Sequence, residues 1–558
     1  MASPQPGRVL ALTAFRGFVG GLSTVKSDQQ WGLSMRHLIG WIVVACAVFM
    51  APVAGQAQTP KTLRVVMHSD IKVLDPVWSG AYIVRNHGYL IYDTLFALDE
   101  KFQPKPQMLE SWSASDDRKT WTFTLRDGLE WHDGKPVTAD DCIASIRRWG
   151  ARDPMGQKML PFVEDMKATD AQTFTISMKV PYGLVVESLS KPSVVTPFMM
   201  PRRVAETDPF KQLNEYVGSG PFILKQDEWK PGERIVYVRN PRYKPRPEPA
   251  SGLAGGKVAK VDRVEWVWIP DSQTAVNALQ AGEIDIIEQV PYDLLPLVEK
   301  DRNVNLVRAS TGNQYVFRPN WLQPPFNNEK ARQAVMVGLN QQDFLHAIVG
   351  DPRYYRLCKS MFPCGSPLES TVGFEGLIEG NIERARALLK EAGYDGTPVV
   401  VLQASDTAAL SNLAPVAKSI LERIGFKVDL QPMDWQSLVT RLLTKKGPPS
   451  EGGWNVFLTY WSMADLFDPL MTPFLQANCE KSRAGWPCDA AMETLRERFA
   501  LAASADERKA IALEVQKHQA KIVTHVHLGE SFNVAGIRKN VTGWIDSPVA
   551  VFWGIDKQ

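Results

Sequence analysis

The sequence contains none of the common catalytic motifs. Its 558 residues include no G-x-S-x-G, no G-x-x-x-x-G-K-[ST] and no H-E-x-x-H, and no G-x-G-x-x-G opens a helix after a predicted strand. These patterns place a nucleophile, a phosphate-binding loop or a pair of metal ligands, so the familiar enzyme classes built on them are disfavoured. The sequence predicts a protein that is not an enzyme and that needs no cofactor or metal.

The chain also lacks a strong charge of either sign. It has 63 Lys and Arg against 61 Asp and Glu, a net charge of +2. Residues 1–57 carry +3 of this, from four basic residues against Asp28, which leaves −1 for the other 501 residues. Such a near-neutral chain is not expected to bind nucleic acid.

Long apolar runs are absent after the N-terminal region. There, Met35-Arg36-His37 precedes the apolar run Leu38–Ala51 and small residues up to Ala57, the layout of a secretory signal peptide cleaved before Gln58. The basic residue Arg36 makes Met35 the expected start, with residues 1–34 as upstream sequence. Lipoprotein processing at Cys46 is the alternative, but the tether that follows it would be apolar.

Beyond residue 57 no stretch approaches the roughly 18 uncharged apolar residues of a membrane helix. We therefore expect a soluble protein outside the cytoplasm. At about 150 residues per domain, the remaining length predicts two to three domains.

Cysteine is scarce: five remain after residue 57. In an oxidising compartment their spacing suggests two local disulfides, Cys358 with Cys364 and Cys479 with Cys488. Cys142 is left over within a predicted helix, Ala139 to Trp149, where a buried free thiol is expected. No group of cysteines and histidines has the spacing of a zinc site.

The hydrophobic pattern predicts an α/β protein. Strands are expected at residues 62–66, 235–239, 264–268 and 284–287, and a helix at 272–280. A β-rich segment near residues 120–138 leads into a helix capped by Thr138 and Asp141. Farther on, residues 399–402, 414–424 and 427–430 form a strand, a helix and a strand, a βαβ unit that implies parallel pairing.

Two histidines, His525 and His527, are the best metal candidate, because alternate residues of a strand share a face. No acid or cysteine lies nearby at ligand spacing. A structural pair of partly buried imidazoles is therefore favoured.

Two carboxylates follow an apolar strand near residue 460. The strand Val456 to Tyr460 runs into Trp461 and then into Asp465 and Asp468. Acids beyond the carboxyl end of a buried strand are well placed to meet a ligand in an α/β protein. The alternative is that both cap the next helix, near residues 470–475.

Several ordered segments resemble one family. They are Tyr92–Phe96, Pro106–Trp112, Thr120–Arg126, His132–Asp141, Gly218–Phe222, Arg239–Tyr243, Ala281–Asp285, Pro325–Asn328 and Ala387–Gly393. Together they span nearly all of the chain after residue 57. The sequence resembles the family 5 extracellular solute-binding proteins of bacterial ABC importers, the oligopeptide and dipeptide type.

The resemblance implies a fold and a domain plan. The fold is α/β, the periplasmic-binding-protein type II (cluster C), with two lobes joined by a hinge and a third, smaller domain. Lobe I would comprise residues 58–96, 205–303 and 525–558, the small domain II residues 97–204, and lobe III residues 304–524.

The resemblance also implies a role. Such proteins are periplasmic, bind a short peptide or related amine-bearing solute between closing lobes, and deliver it to an inner-membrane permease driven by a cytoplasmic ATPase. A monomer is expected. The family also includes binders of opines, glutathione, sugars, metal complexes and haem, and these remain alternatives.

The site residues implied by the resemblance centre on Asp465. It corresponds to the acid that pairs with the ligand ammonium, because an unpaired charge in a closed cleft is costly. Tyr460 and Trp461 would supply aromatic walls, although Trp461 lies one position farther from the acid than usual. The loop Ser79, Gly80, Ala81 and Tyr82 would line the cleft. The strand Val456 to Tyr460 lacks the basic residue that some peptide binders use for the ligand carboxylate.

Two other functions compete with transport. An exported hydrolase could use Asp465 and Asp468 as an acid/base pair, but nothing in the sequence separates their pKa values. A sensory or chaperone-like use of the same cleft is the other.

Overall fold

Two long antiparallel strands, Val304–Pro319 and Val526–Arg538, run through the middle of the largest sheet. The computed structural model describes residues 60–444 and 446–558. The predicted signal peptide and start site lie outside the described residues. Among the residues that are described, no helix combines the length and the apolar content needed to cross a bilayer.

The largest sheet mixes parallel and antiparallel strands. In spatial order they are Phe222–Leu224, Arg234–Arg239, Arg263–Val267, Thr62–Val66, Ile286–Ile287, Val526–Arg538, Val304–Pro319, Val456–Ser462, Val399–Ala404 and Val428–Met433, with Tyr355–Arg356 beside Val526–Arg538.

The two long strands belong to both halves of this sheet. Val304–Arg308 pairs with residues 534–538 on the side of Ile286–Ile287, whereas Asn313–Pro319 pairs with Val456–Ser462 on the other side. Between these stretches the pairing shifts twice, between Arg308 and Gly312 and between Gln314 and Val316. Such irregularities bend and twist a strand pair. The two halves are thus joined by backbone that is bent where it passes from one to the other.

The remaining strands form small sheets. A four-stranded antiparallel sheet has the order Leu109–Ala114, Thr120–Leu125, Thr173–Met178, Val163–Ala168, and pairs are formed by Asp93–Thr94 with Phe198–Met199, Phe96–Leu98 with Pro104–Pro106, and Val541–Thr542 with Asp556–Lys557. The four-stranded sheet falls within the segment expected to form domain II. The exact division of the chain into lobes stays a prediction.

The α-helices of the described residues are mostly short. They are Tyr82–Ile91, Ala139–Arg152, Pro154–Met159, Val185–Leu189, Arg202–Ala205, Ser272–Ala281, Leu295–Val298, Glu329–Gly338, Gln341–Ile348, Ile382–Glu391, Ala408–Ser411, Leu413–Ile424, Trp435–Thr444, Ala490–Leu501 and Ala505–Ile522.

Several local predictions are confirmed. Thr138 and Asp141 form a reciprocal capping box at the start of Ala139–Arg152, and the helix predicted at residues 272–280 is Ser272–Ala281. Strands Val399–Ala404 and Val428–Met433 pair in parallel around helix Leu413–Ile424, as the βαβ pattern predicted.

The cysteine predictions are also confirmed. Cys358 is bonded to Cys364 and Cys479 to Cys488, and Cys142 is a buried free thiol. Burial raises the pKa of the Cys142 thiol, which keeps it protonated and unreactive.

Candidate functional site

The central cavity of the described region lies over the bend of the two long strands. Its floor includes Thr311, Gly312 and Asn313 from that bend, and its volume is about 50 Å³. The walls carry polar groups from both halves of the large sheet; His68, Arg85, Glu288, Tyr460 and Asn533 are among them. Polar groups from distant parts of the chain thus converge on one partly enclosed space.

Asp465 contacts Tyr82 of the cavity wall without lining the cavity itself, and it lies in a 3-10 turn, Met463–Asp465, directly after strand Val456–Ser462. Its side chain is 2% exposed. Oδ2 accepts a hydrogen bond from the Tyr82 hydroxyl at 2.8 Å, whereas Oδ1 is buried without a partner among the described residues. Burial raises the pKa of this carboxyl, and Arg85, Lys191, Tyr82 and Ser193 oppose that shift. A buried carboxylate oxygen without a hydrogen bond can accept a further donor.

Tyr82 joins the two sides of the cavity. Its hydroxyl donates to Asp465 and accepts the backbone N–H of Ser462 at 2.8 Å. The pKa of Tyr82 is raised well above its usual value by burial and by the charge of Asp465, so the hydroxyl keeps its proton. A single side chain on helix Tyr82–Ile91 therefore holds the end of strand Val456–Ser462.

The loop before Tyr82 is fixed by a buried ion pair. Asp75 accepts the backbone N–H groups of Val77 and Trp78, and its other oxygen lies 2.8 Å from Nη2 of Arg148. The predicted site residues Ser79, Gly80 and Ala81 follow this turn, but they are not among the described residues that line the central cavity. Ala81 is the residue that precedes the helix Tyr82–Ile91.

The two predicted aromatic walls face different surroundings. Tyr460 lines the cavity, with its ring 6.1 Å from that of Tyr315 in an edge-on arrangement. Trp461, the next residue of the strand, packs edge-on against Phe474 and lies under Arg483 at 5.2 Å. Successive side chains of a strand point to opposite faces, which separates the two.

Arg483 is a second basic side chain in this region. It is solvent-accessible, yet the surrounding protein lowers the pKa of its guanidinium while Asp153 and Asp465 raise it. Solvent access and a lowered pKa are both expected for an arginine that faces a concave, water-filled space. We infer that Arg483 faces such a space near Asp465.

Asp468 has a different role from Asp465. Its Oδ1 accepts the backbone N–H groups of Leu470 and Met471, at 2.7 and 2.8 Å. It caps a turn, as the alternative interpretation held, but that interpretation's helix near residues 470–475 is reduced to a 3-10 turn, Pro473–Leu475. The two acids are thus divided: Asp468 binds backbone N–H groups, and Asp465 binds the hydroxyl of Tyr82, a residue of the cavity wall.

The histidine pair is buried more deeply than the sequence suggested. His525 and His527 are both buried, and burial lowers the pKa of His527 to about 4. His525 packs on Phe474, whereas Nδ1 of His527 lies 2.9 Å from the Ser360 carbonyl. Within the described residues, the one cluster with metal-ligand spacing is Cys358, Cys364 and Glu530, whose cysteines are already bonded to each other.

The sequence analysis missed the cavity residues Arg85 and Glu288, together with Asn86, which bonds to both. Arg85 and Asn86 sit in the otherwise apolar helix Tyr82–Ile91, and Glu288 accepts hydrogen bonds from Asn86 at 2.8 Å and from His68. A run of polar residues inside a helix buried all round was the available signal.

Two halves on a shared sheet, enclosing a polar cavity over the connecting strands, define a binding protein with a type II periplasmic-binding-protein fold. Solved structures share it. One is the periplasmic binding protein DppA from Helicobacter pylori in complex with the peptide STSA, with 21% identity, 89% of this chain and 98% of that chain covered, and a TM-score of 0.73. Another is a dipeptide-binding protein from Pseudoalteromonas sp. SM9913 in complex with Met-Leu, with 17% identity, 89% and 100% covered, and a TM-score of 0.73.

The sequence places the chain more closely. Residues 103–482 match the family described as bacterial extracellular solute-binding proteins, family 5. The chain is also 40% identical over 538 residues to a probable peptide ABC transporter periplasmic-binding protein, y4tO, of Sinorhizobium fredii, a match that covers 94% of this chain and 99% of that protein. The protein belongs to the family 5 bacterial extracellular solute-binding proteins.

Proposed function

We propose that the protein binds short peptides in the periplasm, in the central cavity, and delivers them to an ABC permease in the inner membrane. The observation that carries this proposal is the orphan Oδ1 of buried Asp465. A peptide α-ammonium would supply the donor and the opposite charge that this oxygen lacks. The names of y4tO and of the two peptide complexes support the same ligand class.

Binding requires the two halves to separate from the arrangement described. A cavity of about 50 Å³ holds no more than a few water molecules. A second, more apolar pocket of about 290 Å³ adjoins Asp468 and is lined by Phe102, Phe467 and Met471. It provides room for an apolar ligand side chain once the cavity opens.

Catalysis by the acid pair is not part of the proposal. Asp468 is occupied by two backbone N–H groups, so it is not placed to exchange protons with a substrate at Asp465. We propose a monomer without enzymatic activity, exported with cleavage before Gln58. Sequencing the N-terminus of protein recovered from a periplasmic extract tests the cleavage site.

Calorimetry with dipeptides, tripeptides and tetrapeptides, including Met-Leu and Ser-Thr-Ser-Ala, tests the function. We expect Asp465→Asn to weaken the best peptide by at least ~30-fold, because it removes one partner of a buried charge pair. Asp468→Asn is the matched control, since asparagine caps a turn almost as well as aspartate. Unchanged affinity in Asp465→Asn would show that the ammonium site has been misplaced.

A further inference from the structure

Arg85 is a buried cation on the wall of the central cavity. It lies one helical turn after Tyr82, so both side chains share a face of helix Tyr82–Ile91. The residue is 7% exposed, and its guanidinium carbon lies 4.7 Å from the centre of the Tyr82 ring. Arg85 thus packs over the ring of the tyrosine whose hydroxyl donates to Asp465.

The hydrogen-bond partners of Arg85 are all neutral. Nη1 donates to the Ser193 hydroxyl at 2.5 Å, and Nε and Nη2 donate to Oδ1 of Asn86 at 3.1 and 2.9 Å. A guanidinium has five N–H donors, so three bonds leave one on each Nη for another acceptor. Within the described residues, no carboxylate oxygen lies within 4.0 Å of it.

Other buried cations are satisfied differently. Arg148, Lys191 and Lys257 each pair with a buried aspartate. Arg318 and Arg332 lack a carboxylate, but they donate to backbone carbonyls and stack on aromatic rings away from the cavity. Arg85 alone of these six lines the cavity. The two acids that interact with it electrostatically, Glu288 and Asp465, form their hydrogen bonds with other groups: Glu288 with Asn86 and His68, and Asp465 with Tyr82.

We propose that Arg85 binds the carboxylate of the ligand, so that Arg85 and Asp465 together select a zwitterion. This inference rests on the proposed function. Arginine suits the role because its planar fork matches a carboxylate with two parallel hydrogen bonds.

The test pairs a change in the protein with a change in the ligand. The affinities of the best-binding peptide of the calorimetric panel and of its C-terminal amide are measured on wild type and Arg85→Gln. We expect the wild type to prefer the free acid by at least ~30-fold, and Arg85→Gln to reduce that preference to about twofold. Arg308→Gln is the matched control: it removes the same charge beside the cavity floor, from a side chain that stacks on Phe532.

The outcomes separate the two proposals. Equal losses for acid and amide in Arg85→Gln would make Arg85 a structural residue and overturn the inference while peptide binding stands. Loss of the preference in Arg483→Gln instead would also overturn it. If no peptide binds the wild type, both proposals fail. Should Arg85→Gln not fold, Arg85→Lys serves, with a reduced preference expected because lysine lacks the fork.

Discussion

The hydroxyl of Tyr82 lies 2.8 Å from Oδ2 of Asp465, although 383 residues separate the two in the chain. The same hydroxyl accepts the N–H of Ser462. One side chain thereby orients the proposed ammonium site and ties the two halves of the protein together.

Removing this hydroxyl is expected to affect both roles. Tyr82→Phe leaves the Ser462 N–H and Oδ2 of Asp465 without this partner, and a hydrogen bond to a charged group contributes about 1.5–3 kcal/mol. We expect peptide affinity to fall at least ~tenfold by calorimetry, and small-angle scattering to show a larger radius of gyration without ligand.

Tyr394→Phe is the control for that variant. Like the Tyr82 hydroxyl, the Tyr394 hydroxyl donates one hydrogen bond and accepts one from a backbone N–H, but away from the cavity. It donates to the carbonyl of Thr397 and accepts from the N–H of Lys427. We expect it to alter stability but not affinity. An equal loss of affinity in both variants would contradict the role given to Tyr82.

Peptide binding is expected to weaken as the pH falls. Burial raises the pKa of Asp465 above the ordinary value of about 3.9, so the acid becomes protonated at a higher pH than usual and then cannot pair with an ammonium. Below that pKa the affinity should fall about tenfold per pH unit. Glu288 is not expected to become protonated in the same pH range, because its pKa is lowered with the help of His68.

Calorimetry between pH 4 and 7 measures this slope, and Asp465→Asn should abolish it in whatever affinity remains. For the folding stability of the ligand-free protein, the contribution of Asp465 changes with pH in the opposite direction. A carboxyl with a raised folded-state pKa contributes stability at low pH, and that contribution is lost as the pH rises through the folded pKa.

The disulfide pairing predicts the number of reactive thiols under three conditions. Protein lacking residues 1–57 should show no thiol that reacts with Ellman's reagent when folded, because Cys142 is buried. After denaturation without reductant it should show one, and after reduction five. Three or more thiols before reduction would contradict the disulfide pairing.

Gly312 is expected to tolerate no side chain. A Cβ there would lie 1.8 Å from the Ser531 carbonyl oxygen on the partner strand. We expect Gly312→Ala to lower the free energy of unfolding by about 1–3 kcal/mol or more in a denaturant titration.

Gly232→Ala is the control for Gly312→Ala. That position is in open space with φ of +82°, so it should lose only the roughly 1 kcal/mol of a left-handed backbone. If the two variants lose the same stability, the close contact with Ser531 is not what destabilises Gly312→Ala.

Local features of the fold were predictable from sequence, because capping residues and hydrophobic periodicity act over a few residues. The capping box at Thr138 and the parallel pair around Leu413–Ile424 are of this kind. The pairing of Val304–Pro319 with Val526–Arg538 is not, since it joins segments about 220 residues apart and depends on the whole topology.

The candidate site was predictable only in part. Asp465 was found from its place after an apolar strand and from the family resemblance, and its role remains a prediction. The structure distinguished it from Asp468 by their partners, which no spacing in the sequence reveals. Arg85 escaped notice because its environment is created by Ser193, more than 100 residues away.

The floor of the cavity and the connection between the two halves are the same stretch of backbone, around Gly312. Any rotation of one half against the other changes the shape of that floor, and any molecule resting on it restricts the rotation. A solute bound at the proposed site would therefore limit the angle between the halves, so that this angle would differ between the empty and the occupied protein.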